Sequence, residues 1–323
     1  MNTPTLGLDM AKLTFVAALW FGPKHSIRSS FENTRSGYRK LSRWLKTHCV
    51  GPGLRVGVES TSTYADGVVE WPYNEGHEVY LLNAERTAFY ARSLGQRNKT
   101  DPADADMIAA FVATHEGTRW QPLSPEQKHL RSLTRTRHQL TGVATELSNQ
   151  LRTASEPGRA ALQAVLRKVR EQIAALVRQI KEHLRQAPIL ARHVGHLITI
   201  KGIALITAAT IVAELPPITP DTDPRTICGW AGLTPRRFQS GQSEWRSRLS
   251  RKGNQYLRDA LYMPALVAKR HNPLLKAFAQ RLAAAGKSHP AILGAISHKM
   301  LRIAVGLLRS DADFDPDWSF QRT

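Results

Sequence analysis

Residues 5–20, TLGLDMAKLTFVAALW, decide the fold of the first part of the chain. Two largely apolar runs flank a tight turn at residues 10–12, so the stretch predicts two strands, and residues 26–31 predict a third. Asp9 ends the first strand. A lone acid there could simply favour the turn, but a site where an apolar strand meets solvent also suits a ligand.

Working outward from this stretch, helical and strand patterns alternate. Residues 37–48 have apolar residues at helix spacing, and residues 54–58 are a short apolar strand that delivers Glu59 into a run of hydroxyl residues. Residues 78–83 predict a fifth strand, followed by helix-forming sequence at residues 85–94. Three strands, a helix, a strand, a helix, a strand and terminal helices predict an α/β domain, in the order found in ribonuclease H-like nucleases.

Acidic residues crowd into residues 97–111, RNKTDPADADMIAAF, although the chain is strongly basic. Asp101 before a proline predicts a helix N-terminus, and Asp104 shares the face of Asp101, whereas Asp106 is rotated away. One account makes Asp101 a cap and lets Asp104 complement the helix dipole. Four acids in this order are harder to explain as caps, so a site for one or two magnesium ions that polarise a phosphodiester is predicted at Asp9, Glu59, Asp101 and Asp104.

The charge of the chain favours polyanionic partners. Its 323 residues carry a formal charge of +19, divided as +2 for residues 1–114, +8 for 115–200 and +9 for 201–323. Such an excess favours nucleic acid, with a merely soluble basic protein as the alternative. No apolar run approaches a membrane span, the first residues do not resemble an export signal, and two cysteines are too few for a disulfide framework. We therefore expect a cytoplasmic protein with no membrane partner.

Helical periodicity extends from residue 124 to about residue 192, interrupted at residues 155–158. Two long helices joined there predict a hairpin or coiled coil, whose thin apolar seam favours dimerisation over RNA contact or a solvated arm. Residues 198–215 are similar to a helix-hairpin-helix element that offers backbone N–H groups to phosphate, although Ala204 replaces the second glycine. A purely packed hairpin is the alternative there.

The stretch from residue 225 to residue 270 contains ten basic and two acidic residues, which predicts the DNA-contacting face. Ser240 lies in a polar loop beside two arginines and could be a nucleophile, although loop serines more often cap or turn. Helical segments after residue 255 predict a mainly α domain that ends in an acidic tail. The predicted nucleic-acid-binding residues are Arg97, Lys99, Arg236, Arg237, Arg246, Arg248, Arg251 and Lys252.

Several motifs together give the chain a family resemblance. They are GLDMAK around Asp9, VESTSTY around Glu59, RNKTDPADA around Asp101 and Asp104, and residues 231–243 followed by RKGN and LYMPA. Over nearly its full length the chain resembles DEDD-type insertion-sequence transposases of the IS-one-ten family, relatives of the Piv DNA invertases. The resemblance implies a RuvC-like (ribonuclease H-like) domain at residues 1–123, a coiled-coil arm at 124–195 and a C-terminal serine transposase domain at 196–323.

The resemblance also implies an activity. Members are RNA-guided DNA recombinases whose structured bridge RNA pairs with target and donor DNA. By this resemblance Asp9, Glu59, Asp101 and Asp104 hold magnesium, and Ser240 forms a transient phosphoserine with a DNA strand. Active sites shared between protomers imply a dimer that assembles towards a tetramer. The alternatives are a RuvC-like endonuclease that uses activated water, with Ser240 structural, and a non-catalytic basic RNA-binding scaffold.

Overall fold

The computed structural model divides the chain into two units, Met1–Pro122 and Leu123–Thr323. It describes residues 4–23, 25–59, 66–82, 84–93, 101–115, 117, 119–236, 239–240, 243–244, 248–250 and 253–315. At residues 66, 84–86, 88, 101, 102, 236, 239, 240, 243, 244 and 248 the description covers the backbone alone. The long helices from residue 125 and the C-terminal helices share the second unit, so the division into arm and C-terminal domain stays a prediction.

A five-stranded sheet forms the centre of the first unit. Its strands are β1 (Thr5–Met10), β2 (Thr14–Gly22), β3 (His25–Glu32), β4 (Arg55–Glu59) and β5 (Glu78–Leu82). The order across the sheet is β3-β2-β1-β4-β5. The first three strands pair antiparallel, whereas β4 runs parallel to both β1 and β5. All five strands occur in the predicted order, so the α/β prediction is confirmed.

Four helices accompany this sheet: α1 (Arg35–Thr47), α2 (Asp66–Asn74), α3 (Ala84–Ser93) and α4 (Asp101–Thr114). α1 begins where the Thr34 hydroxyl accepts a hydrogen bond from the Gly37 backbone N–H, and it buries Leu41 and Leu45. Residues 5–8 of β1 and 56–58 of β4 are buried. Strands that are covered on both faces need this near-continuous apolar character.

The second unit is mainly helical. Its helices are α5 (Pro125–Gln150), α6 (Glu156–Gln186), α7 (Pro188–Ile198), α8 (Leu205–Glu214), α9 (Pro224–Trp230), α10 (Gln255–His271), α11 (Pro273–Ala284) and α12 (His289–Ser310). Two short antiparallel ladders pair β6 (Pro235–Arg236) with β9 (Arg248–Leu249) and β7 (Gln239–Ser240) with β8 (Ser243–Glu244). Their sequence positions put both ladders inside the predicted DNA-contacting stretch.

The helices α5 and α6 form the predicted helical hairpin. Near its base the His183 ring nitrogen lies 2.8 Å from the Glu126 carbonyl oxygen, while Leu151 and Leu166 line one groove near the other end. Leu130 and Ile180 at the base are fully buried in the core of the second unit. The outer half buries few side chains, and supercoiling of the pair stays a prediction.

The glycine turn between α7 and α8 packs against the protein. A Cβ added at Gly202, where φ is +112°, would lie 3.1 Å from the Pro264 carbonyl oxygen of α10. Ile200 and Ile203 on either side are buried. This is the packed hairpin that the sequence left open as an alternative, and phosphate contact at the turn remains a prediction.

The helix α12 is the central helix of the second unit. In the part of the chain that the structure describes, it alone is long and apolar enough to cross a membrane, but 67% of that apolar window is buried inside the protein. Leu293, Ile296 and Met300 are among its core residues. Its apolar composition is therefore explained by its place in the core.

Candidate active site

Asp9 and Glu59 lie at the same edge of the sheet. The register of the parallel strands β1 and β4 pairs Leu8 with Val58, so each acid follows directly after a paired residue. Both side chains are partly exposed, next to fully buried neighbours in the strands. The carboxyl ends of adjacent parallel strands therefore bring together two acids that are fifty positions apart, as the sequence predicted.

The helix α4 reaches this edge because it lies in backbone contact with β1. A Cβ added at Gly7 would lie 2.0 Å from the Ala105 carbonyl oxygen, and the Thr5 hydroxyl donates to the Ala109 carbonyl oxygen over 2.8 Å. As β1 advances from residue 5 to residue 7, α4 runs back from residue 109 to residue 105. The N-terminal end of α4, which carries Asp104, therefore lies beside the end of β1 that carries Asp9.

The helix α4 carries two further acids, Asp101 and Asp106. Asp101 is the first residue of α4, and its side chain lies outside the described residues, so its predicted role is untested. Asp106 forms a salt bridge with Arg28 of β3, and this hydrogen bond raises the pKa of the Arg28 guanidinium. Asp106 is thus engaged with β3, and its omission from the predicted site stays a prediction.

Thr87 of α3 orients one of these carboxylates. Its side chain is almost completely buried, and its hydroxyl donates to Glu59 Oε2 over 3.2 Å. A fixed hydrogen bond of this kind limits the rotation of a carboxylate that binds a ligand. The sequence analysis missed Thr87, because no spacing relates α3 to the end of β4 before the fold is known.

The donor set at this edge of the sheet consists of carboxylate oxygens. Hard cations such as Mg²⁺ and Ca²⁺ prefer these ligands, whereas structural zinc sites use cysteine and histidine. Within the described ranges, no three side chains of His, Cys, Asp or Glu are already arranged to hold a metal ion. Asp9, Glu59 and Asp104, here called the acidic edge, match a divalent cation such as magnesium in donor chemistry.

Ser240 lies in the second unit, in the loop formed by the two short ladders. Residues 235–250 are called the serine loop; in it Ser240 pairs with Ser243, and Arg236 pairs with Arg248. These pairings describe the backbone, while the four side chains lie outside the described residues. The remaining predicted nucleic-acid contacts also lie outside them: Arg97, Lys99, Arg237, Arg246, Arg251 and Lys252.

Close backbone packing holds the two ends of the serine loop together. Gly253 has φ of +137°, and a Cβ there would lie 2.0 Å from the Trp230 carbonyl oxygen. The Asn254 backbone N–H donates to that same Trp230 oxygen over 3.1 Å. The Arg258 guanidinium donates to the carbonyl oxygens of Ala231 and Gly253. The segments that flank the serine loop, residues 230–231 and 253–254, are therefore held together.

A buried carboxylate connects the end of this flanking segment to the core of the second unit. The side chain of Glu214 at the end of α8 is fully buried and accepts two hydrogen bonds from Arg135 of α5, at 2.6 and 2.8 Å. Glu214 also accepts from Asn254 Nδ2 over 2.7 Å, while Asn254 Oδ1 caps α10 by accepting from the Leu257 N–H. The sequence analysis missed this network, whose members are up to 119 positions apart.

Comparison with known proteins bears on the family of the chain. Residues 6–154 match a family described as "Transposase" of the DEDD IS110 type, and residues 194–280 match "Transposase IS116/IS110/IS902 family". The chain is 29% identical over 319 residues to a pilin gene-inverting protein of Moraxella bovis, with 98% of both chains covered. It is 27% identical over 299 residues to a probable family 20 transposase of Pseudomonas aeruginosa, covering 81% of this chain and 82% of that one.

The transposase match over residues 6–154, which includes the acid-bearing α/β unit, and the match over residues 194–280 of the second unit define an enzyme of DNA transposition and recombination. The two matches together cover most of the chain, and relatives match it along nearly its full length. These matches also identify its family. The chain belongs to the IS110 (IS-one-ten) family of insertion-sequence transposases. The family predicted from the sequence motifs is thereby confirmed.

Proposed function

We propose that this transposase cuts and rejoins DNA strands through a covalent serine intermediate, assisted by magnesium and directed by a structured guide RNA. The observation that carries the proposal is the acidic edge, where Asp9 and Glu59 lie at the carboxyl ends of adjacent parallel strands and α4 brings Asp104 alongside. The strand order β3-β2-β1-β4-β5, with three antiparallel strands first, supports a ribonuclease H-like fold for this unit.

The covalent step belongs to Ser240. Its hydroxyl oxygen forms a bond to a backbone phosphorus while the bond from that phosphorus to one ester oxygen breaks. The hydroxyl proton passes to solvent, and the departing strand oxygen takes up a proton. Attack by the hydroxyl of another strand on the phosphoserine reverses these events, so the phosphodiester is remade without an external energy source. Arg236 and Arg237, close to Ser240 in sequence, would stabilise the charge that develops on the phosphate.

Asp9, Glu59, Asp101 and Asp104 would hold magnesium. Bound there, the ion would neutralise negative charge on the phosphodiester that is being attacked. The hydrogen bond from Thr87 would keep the Glu59 carboxylate oriented for this task.

The guide RNA and the DNA would bind mainly to the second unit. Residues 115–200 and 201–323 carry +8 and +9, against +2 for residues 1–114, which supports polyanion binding there. Relatives named for pilin gene inversion support DNA rearrangement as the outcome. The proposed assembly is a dimer that progresses towards a tetramer, in which the acidic edge of one protomer serves the serine loop of another.

Trapping the covalent intermediate tests the serine mechanism. The protein is incubated with magnesium, guide RNA and labelled DNA, and denaturing electrophoresis then detects a protein–DNA adduct. Ser240→Ala should abolish both adduct and strand joining while RNA binding is retained, and Ser243→Ala is the matched control on the paired strand. DNA cutting by the unchanged protein without any adduct would instead establish an endonuclease that uses activated water.

A matched pair of aspartates in α4 tests the acidic edge. Asp104→Asn should slow strand exchange about 100-fold or more, because loss of metal assistance removes several kcal/mol of transition-state stabilisation. Asp106→Asn removes the same charge two residues away, at a side chain engaged with Arg28, and should retain most of the activity. Equal strand exchange by both variants and the unchanged protein would mean that the acidic edge takes no part in the reaction. RNA binding by all three proteins with no strand exchange by any of them would favour the non-catalytic RNA-binding scaffold.

A further inference from the structure

The chain has a long segment with charges of one sign. Between Asp259 and Asp311 lie eight lysines and arginines and no acid. Much of this segment forms α11 and α12. The partly exposed residues of α12 recur at helix spacing on one face, and that face carries His298, Lys299 and Arg302.

An aromatic ring holds cations from both helices in place. The Lys299 Nζ atom lies 4.7 Å from the ring centroid of Phe278, and the Arg281 guanidinium carbon lies 5.4 Å from the same centroid. Such cation–π contacts restrict long, otherwise mobile side chains. Arg302 follows Lys299 by three residues and thus shares its helix face. Arg281, Lys299 and Arg302 are here called the α11–α12 cation cluster.

Among the described side chains, no carboxylate pairs with this cluster. None of its three side chains forms a salt bridge with an acid among the side chains that the structure describes. The charges of Arg302 and Asp223 both act on the pKa of the Cys228 thiol. Asp223, however, caps α9, where its carboxylate accepts hydrogen bonds from the Arg225 N–H and the Thr226 hydroxyl. Burial and the charges of Arg281 and Arg302 lower the pKa of Lys299.

Gathering like charges costs free energy, and Lys299 and Arg302 of this cluster are also partly buried. A bound anion would offset that cost. Guanidinium and ammonium groups held from two helices are suited to phosphate oxygens, the guanidinium as a planar fork and the ammonium as a point charge. Because α12 is a core helix, the site has a rigid support.

We propose that Arg281, Lys299 and Arg302 bind a phosphodiester of a nucleic-acid backbone at a site separate from the serine loop. The contact would position the strand without reading its sequence, as phosphate contacts do. The inference requires neither Ser240 chemistry nor magnesium. The strand could be DNA or guide RNA, which share this chemistry and are separated by the experiment below.

The test compares two double variants of equal charge. Lys299→Gln with Arg302→Gln removes two members of the cluster, whereas Lys276→Gln with Lys287→Gln removes two exposed cations elsewhere in the acid-free segment. Binding to duplex DNA and to structured RNA is measured separately in EDTA at several salt concentrations. For one of the two nucleic acids, the cluster variant should bind about tenfold more weakly with a salt slope smaller by about 1 to 2, and the control should change neither.

The outcomes are distinct. A loss confined to DNA or to RNA supports the site and identifies its strand, and equal losses in both double variants, or none, would overturn it.

Thermal unfolding checks the fold, and the cluster variant should melt no lower than the unchanged protein because like-charge repulsion is relieved. Arg302→Lys keeps the charge but not the planar fork, so it should lose less affinity than the double variant. If the double variant does not fold, Lys299→Gln alone decides, since unchanged binding would overturn the site. Adduct formation reports on the serine mechanism independently.

Discussion

At the scale of single residues, Gly7 controls how closely α4 approaches β1. An added Cβ would lie 2.0 Å from the Ala105 carbonyl oxygen and 2.6 Å from the Ala109 nitrogen, both backbone atoms that cannot rotate away. Gly7→Ala should therefore push α4 outward, destabilise the protein by about 1–3 kcal/mol as overpacking does, and slow strand exchange by displacing Asp104. Urea unfolding and adduct formation measure the two effects.

Gly51→Ala is the control for this substitution, because an added Cβ at Gly51 meets no atom within 4 Å. Both properties should be unchanged in the control. A Gly7→Ala protein as stable and as active as the control would mean that the approach of α4 is not needed for the acidic edge.

The sequence predicted Asp9 and Glu59 because the end of an apolar strand is visible in a local pattern. It also separated Asp104 from Asp106 by helix periodicity. Thr87 and the salt bridge of Asp106 with Arg28 were beyond reach, since both depend on which elements become neighbours in three dimensions. Local patterns therefore identified candidate ligands, while the hydrogen-bond partners of those ligands required the fold.

At the scale of secondary-structure elements, Glu214 joins α5, α8 and the start of α10. Glu214→Gln would remove the buried carboxylate that accepts from Arg135, and breaking a buried ion pair costs about 3–5 kcal/mol. We therefore expect a large loss of stability in urea unfolding. Glu171→Gln removes an exposed salt bridge with Lys168 within α6 and should cost no more than about 1 kcal/mol. Equal losses in the two variants would contradict the anchoring role of Glu214.

Helices and strands with a strong apolar period were predictable, and the hairpin of α5 and α6 was among them. The two-residue strands of the serine loop were not, since pairs as short as Ser240 with Ser243 leave no periodic signal. Gly202 was seen as a turn, but its packing against Pro264 follows from the position of α10. Periodicity thus predicts elements, whereas what covers a turn is decided by tertiary packing.

At the scale of the whole molecule, the hairpin of α5 and α6 is the proposed device for self-association. Val143 and Val165 on its surface are 42% and 51% exposed. A lysine at an apolar contact would be costly to bury, so Val143→Lys with Val165→Lys should shift a dimer towards monomer in sedimentation velocity. Gln139→Lys with Gln172→Lys adds the same charge at exposed polar positions of the same two helices and should leave the dimer intact.

An unchanged dimer in the valine variant would mean that the interface does not include these positions.

The sequence predicted that the basic charge lies behind residue 114, because counting residues requires no structure. It did not predict the α11–α12 cation cluster. That cluster exists because the apolar residues of α12 are buried on its other sides, which leaves Lys299 and Arg302 on the partly exposed face.

The place of β1 in the sheet has a consequence for biosynthesis. β1 is made before its parallel neighbour β4, which ends at residue 59, and before the helix whose residues Ala105 and Ala109 lie against Gly7. A nascent chain must therefore expose more than a hundred residues outside the ribosome before Asp9, Glu59 and Asp104 can meet. Such distant pairings form late and slowly in folding. A chain truncated before residue 104 would accordingly lack the acidic edge, although it contains β1.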